Sequence, residues 1–159
     1  MTGRCQCGEV KFTTPTPSPL GLYVCHCTEC RHQSSSAFGI TALFPFFEIP
    51  GHDAARSSAP VGTFTRYTAR GRYMECLFCR TCGCRLVHRF RDQIPGHREY
   101  IHRQGVIPTV SVKAGCLDGL TREALNEAVH IWCQSAIVPI PKGVVSWPGR
   151  PEGGTTIRR

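Results

Sequence analysis

Eleven cysteines in a chain of 159 residues are the part of this sequence best equipped for chemistry. Seven of them fall into three tight groups: Cys5-Gln6-Cys7-Gly8, Cys25-His26-Cys27-Thr28-Glu29-Cys30 and Cys79-Arg80-Thr81-Cys82-Gly83. Cysteines one or two residues apart are poorly placed to bridge distant segments and well placed to grip one metal ion. A structural zinc takes four ligands at about 2.3 Å for sulfur, so paired sulfurs must lie within about 4 Å of each other. Short Cys-x-Cys and Cys-x-x-Cys turns reach that distance at little entropic cost. A glycine after the second cysteine lets the backbone turn with positive φ and bring amides toward the sulfurs, and Gly8 and Gly83 stand there.

Joining the two glycine-backed groups gives a closed four-thiolate site of Cys5, Cys7, Cys79 and Cys82. The middle group then offers Cys25, Cys27 and Cys30 with no obvious fourth ligand, the condition for a zinc with a position open to water or substrate. The spacing therefore predicts two zinc ions per chain, one structural and one catalytic. Alternatives stay open at this level, since Cys76 makes a Cys-x-x-Cys with Cys79 and Cys84 a Cys-x-Cys with Cys82. Otherwise Cys76, Cys84, Cys116 and Cys133 read as small core hydrophobes. Three thiolates leave zinc with a net charge of about −1, which suits it to holding a soft substrate thiolate. The expected partner is a small-molecule thiol or thiol adduct. Arg31 can offset the negative charge or bind a substrate carboxylate, and His26 or Glu29 can carry the proton. The His26 ring, set between two ligands, is expected to point away from the metal, and His130 reads as a core histidine.

The elements that must position these groups are short. Strands are expected at residues 9–12, 22–25, 38–43, 61–68, 72–78, 85–90 and 106–112, where β-prone residues lie between Pro and Gly breaks. One short helix is expected over 121–129, where Leu120, Ala124, Leu125 and Ala128 recur behind Asp118 or Thr121 as a cap. A single domain over 1–148, mainly β, and a flexible tail over 149–159, rich in Gly, Pro and Arg, complete the reading.

Composition bounds the class. Hydrophobic residues make up 41% and charged residues 19%, with 16 Gly and 12 Pro, which fits a turn-rich globular chain. No apolar run approaches the roughly 18 residues needed to span a bilayer, and the polar start lacks a signal-peptide core, so a cytoplasmic location and no membrane partner are expected. The net charge of +8 would suit nucleic acid. The basic residues are scattered, however, and pairs such as Arg66-Tyr67 are isolated, so no specific nucleic-acid binding is expected.

The three cysteine groups, together with Ser36-Ala37-Phe38, Gly115-Cys116-Leu117-Asp118 and His130-Ile131-Trp132, resemble the glutathione-dependent formaldehyde-activating enzyme and centromere protein V family. The wording at Ala37-Phe38-Gly39 and Val138-Pro139-Ile140-Pro141 is similar to fungal members. The resemblance implies a β-tent of small antiparallel sheets. It also implies structural zinc at Cys5, Cys7, Cys79 and Cys82, and catalytic zinc at Cys25, Cys27 and Cys30. The implied activity is a carbon-sulfur lyase reaction on a glutathione-like adduct of an aldehyde such as formaldehyde. The centromere branch supplies the other implied role, a noncatalytic zinc module for protein or nucleic acid. Ser35 stands where the family pattern carries glycine, and Cys116 and Cys133 stand where it carries small hydroxyl residues, which directs attention to substrates other than glutathione and formaldehyde.

Overall fold

The computed structural model describes residues 1–53, 55–56, 58–102 and 104–151. Among these the strands are β1 (Thr2–Arg4), β2 (Lys11–Thr13), β3 (Gly21–Cys25), β4 (Gly39–Pro45), β5 (Val61–Tyr67), β6 (Tyr73–Cys79), β7 (Arg85–Phe90), β8 (Thr109–Lys113) and β9 (Val129–Ile131). Two α-helices, α1 (Thr28–Ser34) and α2 (Arg122–Asn126), lie between strands. β1 and β2 form a small antiparallel sheet, and the other seven strands follow the order β5-β6-β7-β8-β4-β3-β9. Every junction of the larger sheet is antiparallel except β3–β9. The mainly β expectation holds.

Side chains alternate across a strand, so the pairing register sorts the larger sheet into two faces. One face carries Cys79, Leu77, Val87, Val112, Ala42 and Phe44. These are 0–1% exposed and belong to the main hydrophobic core, together with Val10 and Phe12 from the region of the small sheet. Removing a side chain of this kind, such as Leu77→Ala, costs about 2–5 kcal/mol through lost burial and the cavity left behind. The opposite face carries Arg66, Cys76, His88, Ser111, Lys113 and Cys25, a polar set in which His88 and Lys113 stand on strands buried on both sides. A register shift between Leu77 and Phe78 brings Arg85 opposite Phe78, and so onto this polar face.

Several boundaries differ from those expected, for local reasons. The helix expected over 121–129 is capped by Thr121, whose hydroxyl accepts the Ala124 amide at 3.2 Å, but it ends at Asn126 because Val129 begins β9. α1 is additional to the single helix expected, since its sequence is polar and shows no apolar period. It starts because the Cys27 sulfur accepts the Cys30 amide at 3.4 Å, and it stops at Ser35, which takes the left-handed conformation at φ 48°. The strand expected over 106–112 starts at Thr109, and β4 extends through Pro45. Of the tail expected to begin at 149, Gly149 accepts the Trp132 amide at 2.9 Å, and residues 152–159 lie outside the described residues.

Candidate metal centres and the adjoining cleft

The closed cluster forms where the small sheet meets the end of β6. Cys5 follows β1 directly, and its loop closes through the Gly8 amide, which donates to the Cys5 carbonyl at 3.2 Å. Gly83 repeats the device by donating to the Cys79 carbonyl at 2.9 Å. Both glycines sit at positive φ, 81° and 73°, as their positions in the sequence predict. The sulfurs of Cys5, Cys7, Cys79 and Cys82 lie within 4.8 Å of one another, with Cys5 to Cys7 at 3.5 Å and Cys7 to Cys79 at 3.8 Å. Backbone amides at Cys7 and Cys84 bring the Cys82 thiol down to about 6. Cys7 is pushed up to about 12, since desolvation and the neighbouring sulfurs outweigh the Glu9 amide. Four sulfurs this close cannot all ionise without a cation among them, and four soft sulfur donors at this separation fit zinc.

The strand pleat and the sulfur contacts place Cys76 and Cys84 outside the four-sulfur cluster. Cys76 and Cys79 lie on opposite faces of β6, so they cannot serve one ion. Cys84 turns toward Cys116, sulfur to sulfur at 3.6 Å, and lies outside the cluster.

Cys25, Cys27 and Cys30 form the second cluster, again with all sulfurs within 4.8 Å. Cys25 ends β3 on the polar face, Cys27 caps α1, and Cys30 sits in its first turn. The neighbouring Cys25 and Cys30 groups, aided by the Cys30 and Glu29 amides, bring Cys27 down to about 2, while Cys25 is pushed up by Cys27 and Cys30. One thiolate among three sulfurs again fits a soft cation. No fourth His, Cys, Asp or Glu completes the set among the described residues. Lys113, 9% exposed, is lowered by burial and pulled back up by Cys30, Cys76 and Cys25, which puts a buried amine in the field of this cluster.

The other expected site residues are divided. Glu29 is exposed and lies 3.9 Å from Arg66. Arg31 has a buried Nε with no hydrogen-bond partner among the described residues. His26 is 1% exposed, and its Nε2 meets His130 Nδ1 at 3.1 Å beside the Phe38 ring. Burial lowers the pKa of both histidines. His130 is thus the satisfied core histidine its apolar neighbours predict.

A cleft of about 190 Å³ opens between α1 and the polar face of the sheet. Phe64, Arg66, Cys76, Arg85 and His88 line it from the sheet, and Glu29, His32 and Gln33 from the helix. Gln33, Arg85, His88 and Lys113 stand in no motif that marks them as site residues. The only signal for His88 and Lys113 is a polar residue set in a buried, β-branched strand.

The chain is mainly β, with one four-sulfur and one three-sulfur cysteine cluster, each of which could hold a metal ion. The chain belongs to the glutathione-dependent formaldehyde-activating enzyme family, whose sequence profile matches residues 1–135. No curated protein matches. Among solved structures, a Rhodobacter sphaeroides protein from structural genomics shares 20% identity at a TM-score of 0.48, over 82% of this chain and 99% of that one.

Proposed function

We propose that the chain is a zinc-dependent carbon-sulfur lyase that joins a small thiol to an aldehyde, or releases the aldehyde from the adduct, at Cys25, Cys27 and Cys30. The observation that carries this reading is the ligand count: three sulfurs within 4.8 Å and no fourth donor among the described residues. A bound zinc would hold the substrate sulfur in its remaining position and lower the thiol pKa below its free value of about 8.5. In the synthetic direction the sulfur forms a bond to the carbonyl carbon, and the proton lost by the thiol ends on the carbonyl oxygen. In reverse the carbon-sulfur bond breaks and the proton returns to sulfur.

The remaining work falls to the chain itself. Glu29, on the rim of the cleft, is the better placed proton carrier, because the His26 ring is engaged with His130. His26 instead holds the segment between two ligands, since its amide also donates to the Ile131 carbonyl at 3.0 Å. Arg31 and Lys113 offset the excess negative charge of a three-thiolate zinc. Cys5, Cys7, Cys79 and Cys82 would hold a structural zinc, which would make two ions per chain. No described helix is long and apolar enough to cross a membrane, and cysteines committed to metal suit the reducing cytoplasm.

Two equivalents of zinc are expected in freshly purified, reduced protein. Thiol-aldehyde adduct formation, followed by NMR with glutathione and smaller thiols, is expected to accelerate with the parent protein and not with Cys27→Ser. Adduct formation at the uncatalysed rate by protein carrying both zinc ions would overturn the reading.

A further inference from the structure

We propose that the cleft beneath α1 is a carboxylate subsite, in which Arg66 and Arg85 bind the carboxylate of the thiol whose sulfur goes to Cys25, Cys27 and Cys30. The proposal rests on the function inferred above and narrows its substrate class to thiols carrying an anionic group a short chain away from sulfur.

The cleft holds polar groups for which the described residues supply no partner. His88 is 7% exposed and its Nε2 makes no hydrogen bond, and neither amide atom of Gln33 makes one. Buried polar atoms without partners are rare, and both residues that carry them here line the cleft, where a ligand can complete the bonding. The charge there is positive. Arg85 lies over the Phe64 and Phe78 rings at 5.5 and 5.8 Å and forms no ion pair with the described residues. Among the described residues the polar partners of Arg66 are the exposed Glu29 carboxylate at 3.9 Å, the Tyr67 carbonyl at 3.5 Å and the Cys76 thiol. Burial, then Lys113, Arg85 and Arg66, holds His88 neutral, so the imidazole adds bonding capacity without adding charge.

Position ties the cleft to the metal cluster. A Cβ built on Gly39 would meet the Cys30 Cβ at 3.2 Å and the Gln33 amide nitrogen at 3.4 Å, so the amide lining the cleft lies beside a ligand cysteine. A planar carboxylate accepts two parallel guanidinium N–H bonds, the pairing for which arginine is shaped.

Binding of 3-mercaptopropionate, 2-mercaptoethanol and propionate to the zinc-loaded full chain tests this by calorimetry. The anionic thiol is expected to bind about tenfold tighter than the neutral one, a preference that Arg66→Gln and Arg85→Gln each reduce and Arg85→Lys partly keeps. Affinity for 2-mercaptoethanol should not change. Propionate should compete with 3-mercaptopropionate and shift the His88 ring resonance. Equal affinity for the two thiols overturns the proposal, as does a preference that survives in the Arg66→Gln/Arg85→Gln double variant. Inorganic phosphate that binds more tightly than propionate also overturns the carboxylate assignment. If neither thiol binds, the thiol-site reading fails by itself, and the propionate arm decides the subsite: a His88 shift abolished in the double variant supports it, and no shift ends it. Should Arg85→Gln fail to fold, Arg66→Gln carries the comparison.

Discussion

Cysteines of the two clusters answer to different demands, and single substitutions separate them. Cys79 is 0% exposed within the core, and its partner Cys82 completes a set that joins the N-terminus to β6. Cys82→Ser is therefore expected to lower the unfolding free energy by on the order of 4 kcal/mol, read by chemical denaturation. Cys27→Ser should leave the melting profile near that of the parent, because serine is itself a good N-cap and α1 keeps its start. Ser35 is the second test at this scale. Its φ of 48° costs a residue with a Cβ what glycine does not pay, so Ser35→Gly should raise stability by about 0.5–1 kcal/mol. A lower melting temperature in Ser35→Gly would show that the serine hydroxyl matters more than the backbone strain.

Strand pairing carries the main internal ion pairs. Glu75 on β6 faces Arg89 on β7, with a carboxylate oxygen 3.0 Å from the Arg89 Nε and the other 3.0 Å from the Arg91 Nε. Burial would raise the Glu75 pKa, but Arg89 and Arg91 together bring it below the usual 4.5. A folded-state pKa below the unfolded value means the unfolded chain takes up the proton first. The stabilisation is present above about pH 4.5 and lost as pH falls through the folded value. Glu75→Gln should cost about 3 kcal/mol at pH 7 and flatten the loss of stability as pH falls below about 4.5, measured by urea unfolding. An unchanged acid profile would assign that loss to other groups.

At the scale of the molecule, the seven-stranded sheet separates structure from chemistry. Its core face carries Cys79 and the closed cluster, while the polar face carries Cys25, Lys113 and the cleft. A chelator is accordingly expected to strip zinc in two phases. The first equivalent should leave with the far-ultraviolet circular dichroism intact and be slowed by a thiol that fills the remaining position. The second should leave only as the core opens, because Cys5 and Cys79 are 1% and 0% exposed. Loss of both ions in one phase, with structure retained, would contradict this division.

Cysteine spacing by itself marked the three groups that close into two clusters, because a Cys-x-Cys or Cys-x-x-Cys turn is a local structure and the glycine after it reports the φ that turn needs. The β-rich class was legible for a similar reason: Pro and Gly punctuation leaves room only for short strands. Tertiary structure decided the rest. Cys76 matches Cys79 as a pair in the sequence, and only the pleat of β6 sends them to opposite faces. α1 has no apolar period to betray it and exists because a ligand sulfur caps it. Arg85 reaches the cleft through a register shift that residue types do not encode. His88 and Lys113 lie far along the chain from Cys25, Cys27 and Cys30, beyond the reach of any local pattern; they meet the site because antiparallel pairing sets Ser111 against His88 and Thr41 against Lys113. Pairing between distant strands depends on the whole sheet closing at once, and that information is spread over every strand.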